Sequence, residues 1–258
     1  MPDLYPYQDD GAEWLASAAG LAVLHWDMGL GKTATALVGS ELVGANKILI
    51  ICPAVATVNW HRECRTWLDP LLKYQIVTSG KDRLTGDVII VSYNMVTNDA
   101  VHLALLQESW NLVILDEIQY LKSVKSKRTK AVLGFGSYRG RGLTKGVPHI
   151  WGLSGTPAPN NISEMYSWLS ACAPETLMLN GRLMKETQFI ERYCEYQHTP
   201  WGIKIKGNKK ANLGEFRSRN FEVMDRCKKE DVLKDLPPIR FAQVEVDGGD
   251  LTQGVLDL

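Results

Sequence analysis

The 258-residue sequence lacks the features that mark several specialised classes of protein. Its five cysteines are odd in number and form no CxxC pair, and its five histidines form no HExxH motif. This usage is typical of reduced thiols and argues against a disulfide scaffold or a structural zinc site. No apolar run reaches the roughly 18 residues of a membrane span, and the amino terminus does not resemble a signal peptide. We therefore expect a cytoplasmic protein, nuclear or nucleoid-associated according to its host, with no membrane partner.

Net charge is also lacking, since 29 Lys and Arg balance 29 Asp and Glu, but the two signs are segregated. Residues 1–117 carry 7 basic and 14 acidic side chains, residues 118–229 carry 20 and 8, and residues 230–258 carry 2 and 7. Between Glu117 and Glu164 there is no acidic residue. Opposed blocks of this kind predict one face that binds phosphate groups.

Short apolar runs alternate with stretches of helix length over the first 173 residues. The predicted strands are Leu21–Trp26, Lys47–Cys52, Tyr74–Thr78, Asp87–Tyr93, Asn111–Leu115 and His149–Leu153. The predicted helices between them are Thr33–Val43, Val55–Leu68, Asn94–Gln107 and Ser163–Ala173. Nearly continuous apolar runs are typical of buried parallel strands. The alternation predicts an α/β fold with a doubly wound, mostly parallel sheet flanked by helices.

After Ala173 the pattern changes. Residues 174–236 are predicted to be helical around a small hairpin insert, because glycine and asparagine punctuate alternating residues within 196–216. Residues 239–246 alternate like a further strand.

A glycine-containing turn joins the first predicted strand to the first helix. Residues 27–33 read DMGLGKT, the context that a phosphate-binding loop requires, although Trp26 replaces the first glycine of the usual motif. Backbone amides of such a loop cradle the phosphates of a nucleotide, the lysine neutralises them, and the hydroxyl of Thr33 can bind Mg²⁺. The predicted nucleotide contacts are Met28, Gly29, Leu30, Gly31, Lys32, Thr33 and Ala34. A structural turn with an incidental lysine is the alternative interpretation.

Two adjacent carboxylates follow the strand Asn111–Leu115. Asp116 and Glu117 come at its carboxyl end, where α/β sheets place their ligands. We predict that Asp116, together with Thr33, holds Mg²⁺, and that Glu117 orients or deprotonates the attacking water. The predicted catalytic residues are thus Lys32, Asp116 and Glu117. An exposed acidic turn is the alternative.

The order of these motifs resembles the first RecA-like lobe of helicase superfamily two, in particular the Swi/Snf-type DNA translocases and their annealing-helicase (HepA-related) branch. The segment LYPYQDDGAEWL is similar to the family's adenine-binding segment, which implies contacts from Tyr5 and Gln8. LDEIQYLKS resembles the DExx box, with Gln119 where histidine is commonest. GLSGTPAPN resembles the motif that couples ATP to DNA. The implied coupling residues are Gln119, Ser154, Gly155 and Thr156.

Further segments resemble the family's DNA-backbone motifs. ICPAVATVNWHRE and VSYNMV imply phosphate contacts at Pro53, Ala54, Ser92 and Tyr93. DRCKKEDVLKDLPP is similar to the end of the first lobe, with basic matches at Arg226 and Lys229 and with Cys227 where a second arginine is usual.

The resemblance implies an ATP hydrolase that uses ATP and Mg²⁺, acts on duplex or forked DNA and works as a monomer. It further implies residues 1–173 as the RecA-like core, 174–246 as an extension of the same lobe and 247–258 as an interlobe linker. The second RecA-like lobe of the parent chain is absent from this sequence, so we expect little hydrolysis from it alone. The alternatives are a single-lobe nucleotide-binding regulatory module without motor activity, or the lobe of an RNA helicase.

Two clusters of basic residues carry most of the positive charge. The first is Lys122, Lys125, Lys127, Arg128, Lys130, Arg139, Arg141 and Lys145; the second is Lys204, Lys206, Lys209 and Lys210. The predicted DNA contacts among them are Lys127, Arg128, Arg139, Arg141, Lys204 and Lys206. Because the first cluster begins five residues after Glu117, we expect it on the same edge of the sheet as the metal site, although a solvated face is the alternative. The tryptophans, apart from Trp201, are expected to pack in the core.

Overall fold

The computed structural model describes residues 3–200 and 202–232. Its strands are β1 (Gly20–Trp26), β2 (Ile48–Cys52), β3 (Tyr74–Val77), β4 (Val88–Ser92), β5 (Leu112–Asp116), β6 (His149–Ser154), β7 (Met178–Leu179), β8 (Arg182–Leu183), β9 (Cys194–Thr199), β10 (Gly202–Asn208) and β11 (Met224–Cys227). Seven of them form one sheet in the order β11-β1-β6-β5-β2-β4-β3, in which the neighbouring strands run parallel. The other four form two small antiparallel pairs, β7 with β8 and β9 with β10.

Helices cover both faces of the sheet. They are α1 (Pro6–Ser17), α2 (Lys32–Leu42), α3 (Thr57–Trp67), α4 (Asp99–Leu106), α5 (Lys127–Leu133), α6 (Tyr166–Cys172), α7 (Glu186–Tyr193), α8 (Leu213–Arg219) and α9 (Lys229–Val232). Alternate residues of each strand point to opposite faces, so Leu24 packs in one core with α1–α3, and Val23 packs in the other with α4–α8. This is the doubly wound α/β arrangement that the sequence predicts.

The six strands predicted from apolar runs are confirmed, each to within one residue at either end. Strand interiors such as Ile48–Cys52 are buried at every position, which explains why an unbroken apolar run identified them. The predicted helix 94–107 is shorter than expected. Asn98 interrupts it, because its side chain accepts hydrogen bonds from the amides of Ala100 and Val101 and caps α4.

The helical prediction for residues 174–236 is wrong at the small pair β7–β8. It is also wrong at Met224–Cys227, which form β11 and pair with β1 as the edge strand of the main sheet. No residue of β11 is fully buried, so its sequence carries no apolar run and the backbone pairing alone defines it. The predicted hairpin is confirmed as β9–β10. The predicted strand 239–246, the linker 247–258 and Trp201 lie outside the described residues.

Five of the tryptophans are buried, as the sequence predicts: Trp26, Trp60, Trp110, Trp151 and Trp168. Within residues 3–200 and 202–232, no helix is both long enough and apolar enough to span a bilayer.

Candidate nucleotide-binding site

The loop between β1 and α2 turns on two glycines in the left-handed region of the backbone. Gly29 has a φ of 82° and Gly31 a φ of 75°. The positive φ favours glycine at position 31, and a Cβ atom there would also displace the Nε2 group of Gln8 that binds Leu30. Helix α2 begins at Lys32 without a side-chain cap, which leaves the first-turn amides, including those of Thr33 and Ala34, free to bind an anion.

Lys32 lies against this loop. Its Nζ donates hydrogen bonds to the carbonyl oxygens of Trp26, at 2.8 Å, and Asp27, at 3.1 Å. Burial lowers the pKa of Lys32, and the carboxylates of Glu117 and Asp116 act in the opposite direction. The loop lysine and the two carboxylates therefore lie within electrostatic reach of one another.

The start of α1 is bound to the same loop. Nε2 of Gln8 donates to the carbonyl oxygen of Leu30 at 3.1 Å, and Oε1 of Gln8 accepts from the amide of Tyr5 at 2.9 Å. The hydroxyl of Tyr7 also donates to Leu30, at 3.3 Å, and its ring stacks on that of Tyr5. Gln8 is buried and Tyr5 is exposed. Their predicted contacts with adenine stay predictions, but both residues are beside the phosphate loop.

Asp116 is held by two aromatic residues. Its Oδ2 accepts a hydrogen bond from Nε1 of Trp60 at 2.8 Å, and its carbonyl oxygen accepts one from the hydroxyl of Tyr93 at 2.9 Å. Burial raises the pKa of Asp116, and the Trp60 donor acts in the opposite direction. The side chain of Tyr93 is only 1% exposed and supports Asp116 from within the core. The phosphate contact expected near Tyr93 stays a prediction.

Glu117 adopts a left-handed backbone conformation, with φ 51° and ψ 58°, that is unusual for a residue other than glycine. Its Oε2 accepts a hydrogen bond from Nε2 of Gln119 at 2.6 Å. Oε1 of Gln119 accepts from the hydroxyl of Ser154 at 2.7 Å, and Oγ of Ser154 accepts from the amide of Thr156 at 2.9 Å. The structure thus joins Glu117 to the predicted coupling segment by a continuous chain of hydrogen bonds.

The coupling segment also contacts the phosphate loop. A Cβ atom on Gly155 would lie 3.3 Å from Cγ of Met28 and 3.5 Å from the carbonyl oxygen of Trp26. Glycine therefore permits close approach of the two loops at this point.

The residues predicted to contact the DNA backbone lie at the carboxyl edge of the sheet, which we define as the edge where β1, β2, β4, β5 and β6 end. Pro53 and Ala54 directly follow β2, and Ser92 ends β4. Because the strands run parallel, this is the edge that also carries Asp116 at the end of β5.

The first basic cluster is divided by the fold. Lys127 and Arg128 begin α5, and the guanidinium of Arg128 lies 5.2 Å from the centre of the Tyr120 ring, which stacks on Tyr93. This part is therefore near Asp116, as expected.

Arg139 and Arg141 belong instead to the segment between α5 and β6, where the carbonyl oxygen of Arg141 lies 3.1 Å from Nε2 of His102 in α4. There Arg141 donates to the carbonyl oxygen of Ser137 and packs on the Tyr138 ring. Contacts thus tie only the beginning of the cluster to the surroundings of Asp116, and the expectation of one edge stays a prediction for Arg139 and Arg141.

The second cluster lies on the hairpin. Lys204 and Lys206 are exposed on the same face of β10. The hairpin is anchored beside the coupling segment, because Oδ1 of Asn208 accepts a hydrogen bond from the amide of Ile162 at 2.8 Å.

Three contacts of the site were not predicted from the sequence. One is the Trp60 donor to Asp116. The others come from β11: the amide of Asp27 donates to the carbonyl oxygen of Cys227 at 3.0 Å, and Nε1 of Trp26 donates to Oδ2 of Asp225 at 2.6 Å. The sequence signals the contacts from β11 only through the basic segment around Arg226 and Lys229. The position of that segment in the fold depends on β11, which the apolar pattern of the sequence does not predict.

The parallel sheet and its phosphate loop define a RecA-like nucleotide-binding lobe. Residues 7–247 match the SNF2-related domain. The chain belongs to this family, which confirms the resemblance to the first lobe of a Swi/Snf-type protein.

Individual relatives agree with this assignment. The "SWI/SNF-related matrix-associated actin-dependent regulator of chromatin subfamily A-like protein 1" of Bos taurus is 32% identical over 242 residues, which cover 92% of this chain and 24% of the relative. The "DNA annealing helicase and endonuclease ZRANB3" of Homo sapiens is 27% identical over 245 residues, which cover 91% of this chain and 21% of the relative. The chain thus spans about a quarter of the length of these relatives.

Among solved structures, the Sulfolobus solfataricus SWI2/SNF2 ATPase core in complex with dsDNA superposes with a TM-score of 0.68 at 22% identity. The match covers 92% of this chain and 47% of that one. The similarity confirms the predicted fold class.

Proposed function

We propose that this chain is the ATP-binding lobe of an ATP-dependent double-stranded DNA translocase, of the kind found in remodelling or annealing helicases. The observation that carries the proposal is the hydrogen-bonded path from Glu117 through Gln119 to Ser154, at the edge where the phosphate loop lies. Such a path is what a motor needs if the state of its nucleotide is to affect its contacts with DNA. The annealing-helicase and chromatin-regulator names of the relatives support it, as does the DNA complex of the structural neighbour.

The residues fit ATP with Mg²⁺. The glycine turn and the uncapped start of α2 suit the phosphates, and Lys32 supplies a positive charge. Thr33 and Asp116 provide the hydroxyl and carboxylate oxygens that Mg²⁺ prefers. When bound, Mg²⁺ would neutralise charge that develops on the phosphates.

The chain's own contribution to hydrolysis is to place a base. Glu117 would orient or deprotonate the attacking water, and its left-handed backbone together with the Gln119 hydrogen bond fixes the direction of the carboxylate. Supplying an arginine from a second domain accelerates phosphoryl transfer by about 10³–10⁵ in NTPases. We propose that a second RecA-like lobe has this role, so that the chain alone binds ATP and DNA weakly and hydrolyses ATP slowly. That the chain covers less than half of the SWI2/SNF2 ATPase core supports this division.

DNA would lie along the carboxyl edge, near Pro53, Ala54 and Ser92 and beneath Lys127 and Arg128. Hydroxyls, backbone amides and basic side chains at strand ends suit the phosphate backbone and carry no base preference. The relatives named for chromatin support action at chromosomal DNA, in the nucleus if the host is a eukaryote.

The proposal is tested by exchanging Glu117 for Gln in a protein that carries both lobes. Glu117→Gln removes the base but keeps the hydrogen-bonding shape, so ATP should still bind while DNA-stimulated hydrolysis falls by at least about 10²-fold. Glu108→Gln is the control, because Glu108 lies ahead of β5 and pairs with Lys47 away from the site.

Unchanged ATP turnover in Glu117→Gln would show that Glu117 does not orient or deprotonate the attacking water. Stimulation by duplex RNA but not by duplex DNA would favour the RNA helicase alternative. Rapid DNA-stimulated hydrolysis by the 258-residue chain alone would contradict the need for a second lobe.

A further inference from the structure

The end of β11 and the phosphate loop form one hydrogen-bonded unit. β11 pairs in parallel with β1 from Met224 opposite Val23 to Cys227 opposite Trp26. Beyond the sheet the two segments stay together, because the amide of Asp27 donates to Cys227 and Oδ2 of Asp27 accepts from the amide of Lys229 at 2.9 Å. The backbone of Lys229 is therefore fixed beside the loop.

The side chain of Lys229 extends over the loop itself. A Cβ atom placed on Gly29 would lie 3.5 Å from Nζ of Lys229 and 3.6 Å from its Cε. Gly29 is at the turn of the loop, so the ammonium group is against the backbone that would surround a phosphate.

Lys229 has no carboxylate partner within residues 3–200 and 202–232, where the ion pairs of the structure involve other residues. Its neighbour Lys228, in contrast, pairs with Glu230 at 2.6 Å. The charge of Lys229 also reaches Lys32, since it adds to the lowering of the Lys32 pKa that burial chiefly causes. Two ammonium groups thus converge on one short loop, an arrangement that favours a polyanion between them.

We propose that Lys229 binds the polyphosphate of the nucleotide as a second cation of the site, in addition to Lys32. This inference rests on the proposed ATP site. The hydrogen bond from the Lys229 amide to Asp27 holds the backbone in place before the ligand arrives, so binding has only the side chain to order. Because Lys229 follows β11, it links the phosphates to the segment that leaves the sheet after this strand.

The experiment measures the affinity of the 258-residue chain for ATP with Mg²⁺ and for adenosine by titration calorimetry. Lys229→Ala should weaken ATP binding by about tenfold or more, since a hydrogen bond to a charged group is lost. Adenosine binding should be unchanged. Lys229→Arg should keep most of the affinity, and Lys228→Ala, the matched control, should bind ATP like the parent chain.

The unfolding midpoint without nucleotide checks the fold, since Lys229→Ala keeps the main-chain hydrogen bond to Asp27. If the unfolding midpoint of Lys229→Ala falls below that of the parent chain, the binding measurement uses Lys229→Met instead, because methionine retains an aliphatic stem. Equal ATP affinity in the Lys229 and Lys228 variants would overturn the inference, as would an equal loss for ATP and adenosine. If the parent chain does not bind ATP, the proposed function itself fails; if Lys32→Ala weakens binding and Lys229→Ala does not, only this inference fails.

Discussion

Gln119 connects Glu117 to Ser154, which follows Gln119 by 35 residues in the sequence. The side-chain Nε2 of Gln119 donates to Glu117 and its Oε1 accepts from Ser154, so one side chain bonds to both residues. An amide suits this position because it offers a donor and an acceptor at once.

Replacing Gln119 by Ala should uncouple hydrolysis from DNA. Both hydrogen bonds are lost, and the strained backbone of Glu117 loses a support, while no contact to the phosphate loop changes. In a two-lobed protein, DNA stimulation of ATP hydrolysis should fall about tenfold, which corresponds to one or two hydrogen bonds, with ATP affinity nearly unchanged. Gln107→Ala, at the exposed end of α4, is the control. Unaltered DNA stimulation would exclude Gln119 from coupling.

Residue types at the site were predictable, but several of their contacts were not. Asp116 ends β5, and Lys32 begins the helix that follows β1; the apolar runs of the sequence identify both strands. The position of these two residues at the sheet edge therefore follows from local pattern. The Trp60 indole looks like any core tryptophan in sequence, and only the packing of α3 brings it to Asp116. Sequence alone also does not show which way a residue at a strand end points, and the side chain of Tyr93 turns inward and donates to the carbonyl oxygen of Asp116.

At the scale of elements, β11 changes where the folded unit ends. It pairs along β1, the strand that leads into the phosphate loop, and its carboxyl end is bonded to that loop. The sequence predicts the inner strands because both faces of each are buried, whereas β11 is an edge strand with mixed polarity. A boundary at Ala173 stays a prediction.

Two shortened chains test that boundary. A chain ending at Ala173 lacks β11 and also the buried rings of Phe189, Tyr193 and Phe216, so β1 becomes an open edge and part of one core is uncovered. It should show no cooperative unfolding transition in denaturant, whereas a chain ending at Val232 should unfold in one step. Tryptophan fluorescence against urea is the measurement. A cooperative transition of similar midpoint in both would place the folded unit within residues 1–173.

For the whole molecule, the zero net charge conceals an uneven surface. Within the positive middle of the sequence, Arg128 packs on Tyr120 near Asp116, whereas Arg141 packs on Tyr138 beside α4. Sequence position predicted the sign of this region but not which of its side chains pack near Asp116.

The salt dependence of DNA binding should reflect this difference in surroundings. Each phosphate contact that is removed lowers the slope of log affinity against log salt by about 0.9. Replacing Lys127 and Arg128 with Gln should therefore lower this slope by nearly twice that amount. Replacing Arg139 and Arg141 with Gln should lower it less, because the Arg141 guanidinium already donates to Ser137 and packs on Tyr138. Arg65→Gln with Lys73→Gln, in the acidic part of the chain, is the control for overall charge. An unaltered slope in the Lys127 and Arg128 variant would show that these residues belong to a solvated surface and do not contact phosphate.

The most direct measurement of the central claim is the affinity of the 258-residue chain for ATP with Mg²⁺, compared with that of Lys32→Ala. The phosphate loop predicts that the parent chain binds and that the variant binds at least about tenfold more weakly, because a charge-assisted contact is lost. Lys47→Ala removes a lysine that pairs with Glu108 away from the loop, and should bind like the parent. Absence of binding by the parent chain, or equal affinity in Lys32→Ala, would contradict the assignment of this loop as a nucleotide site.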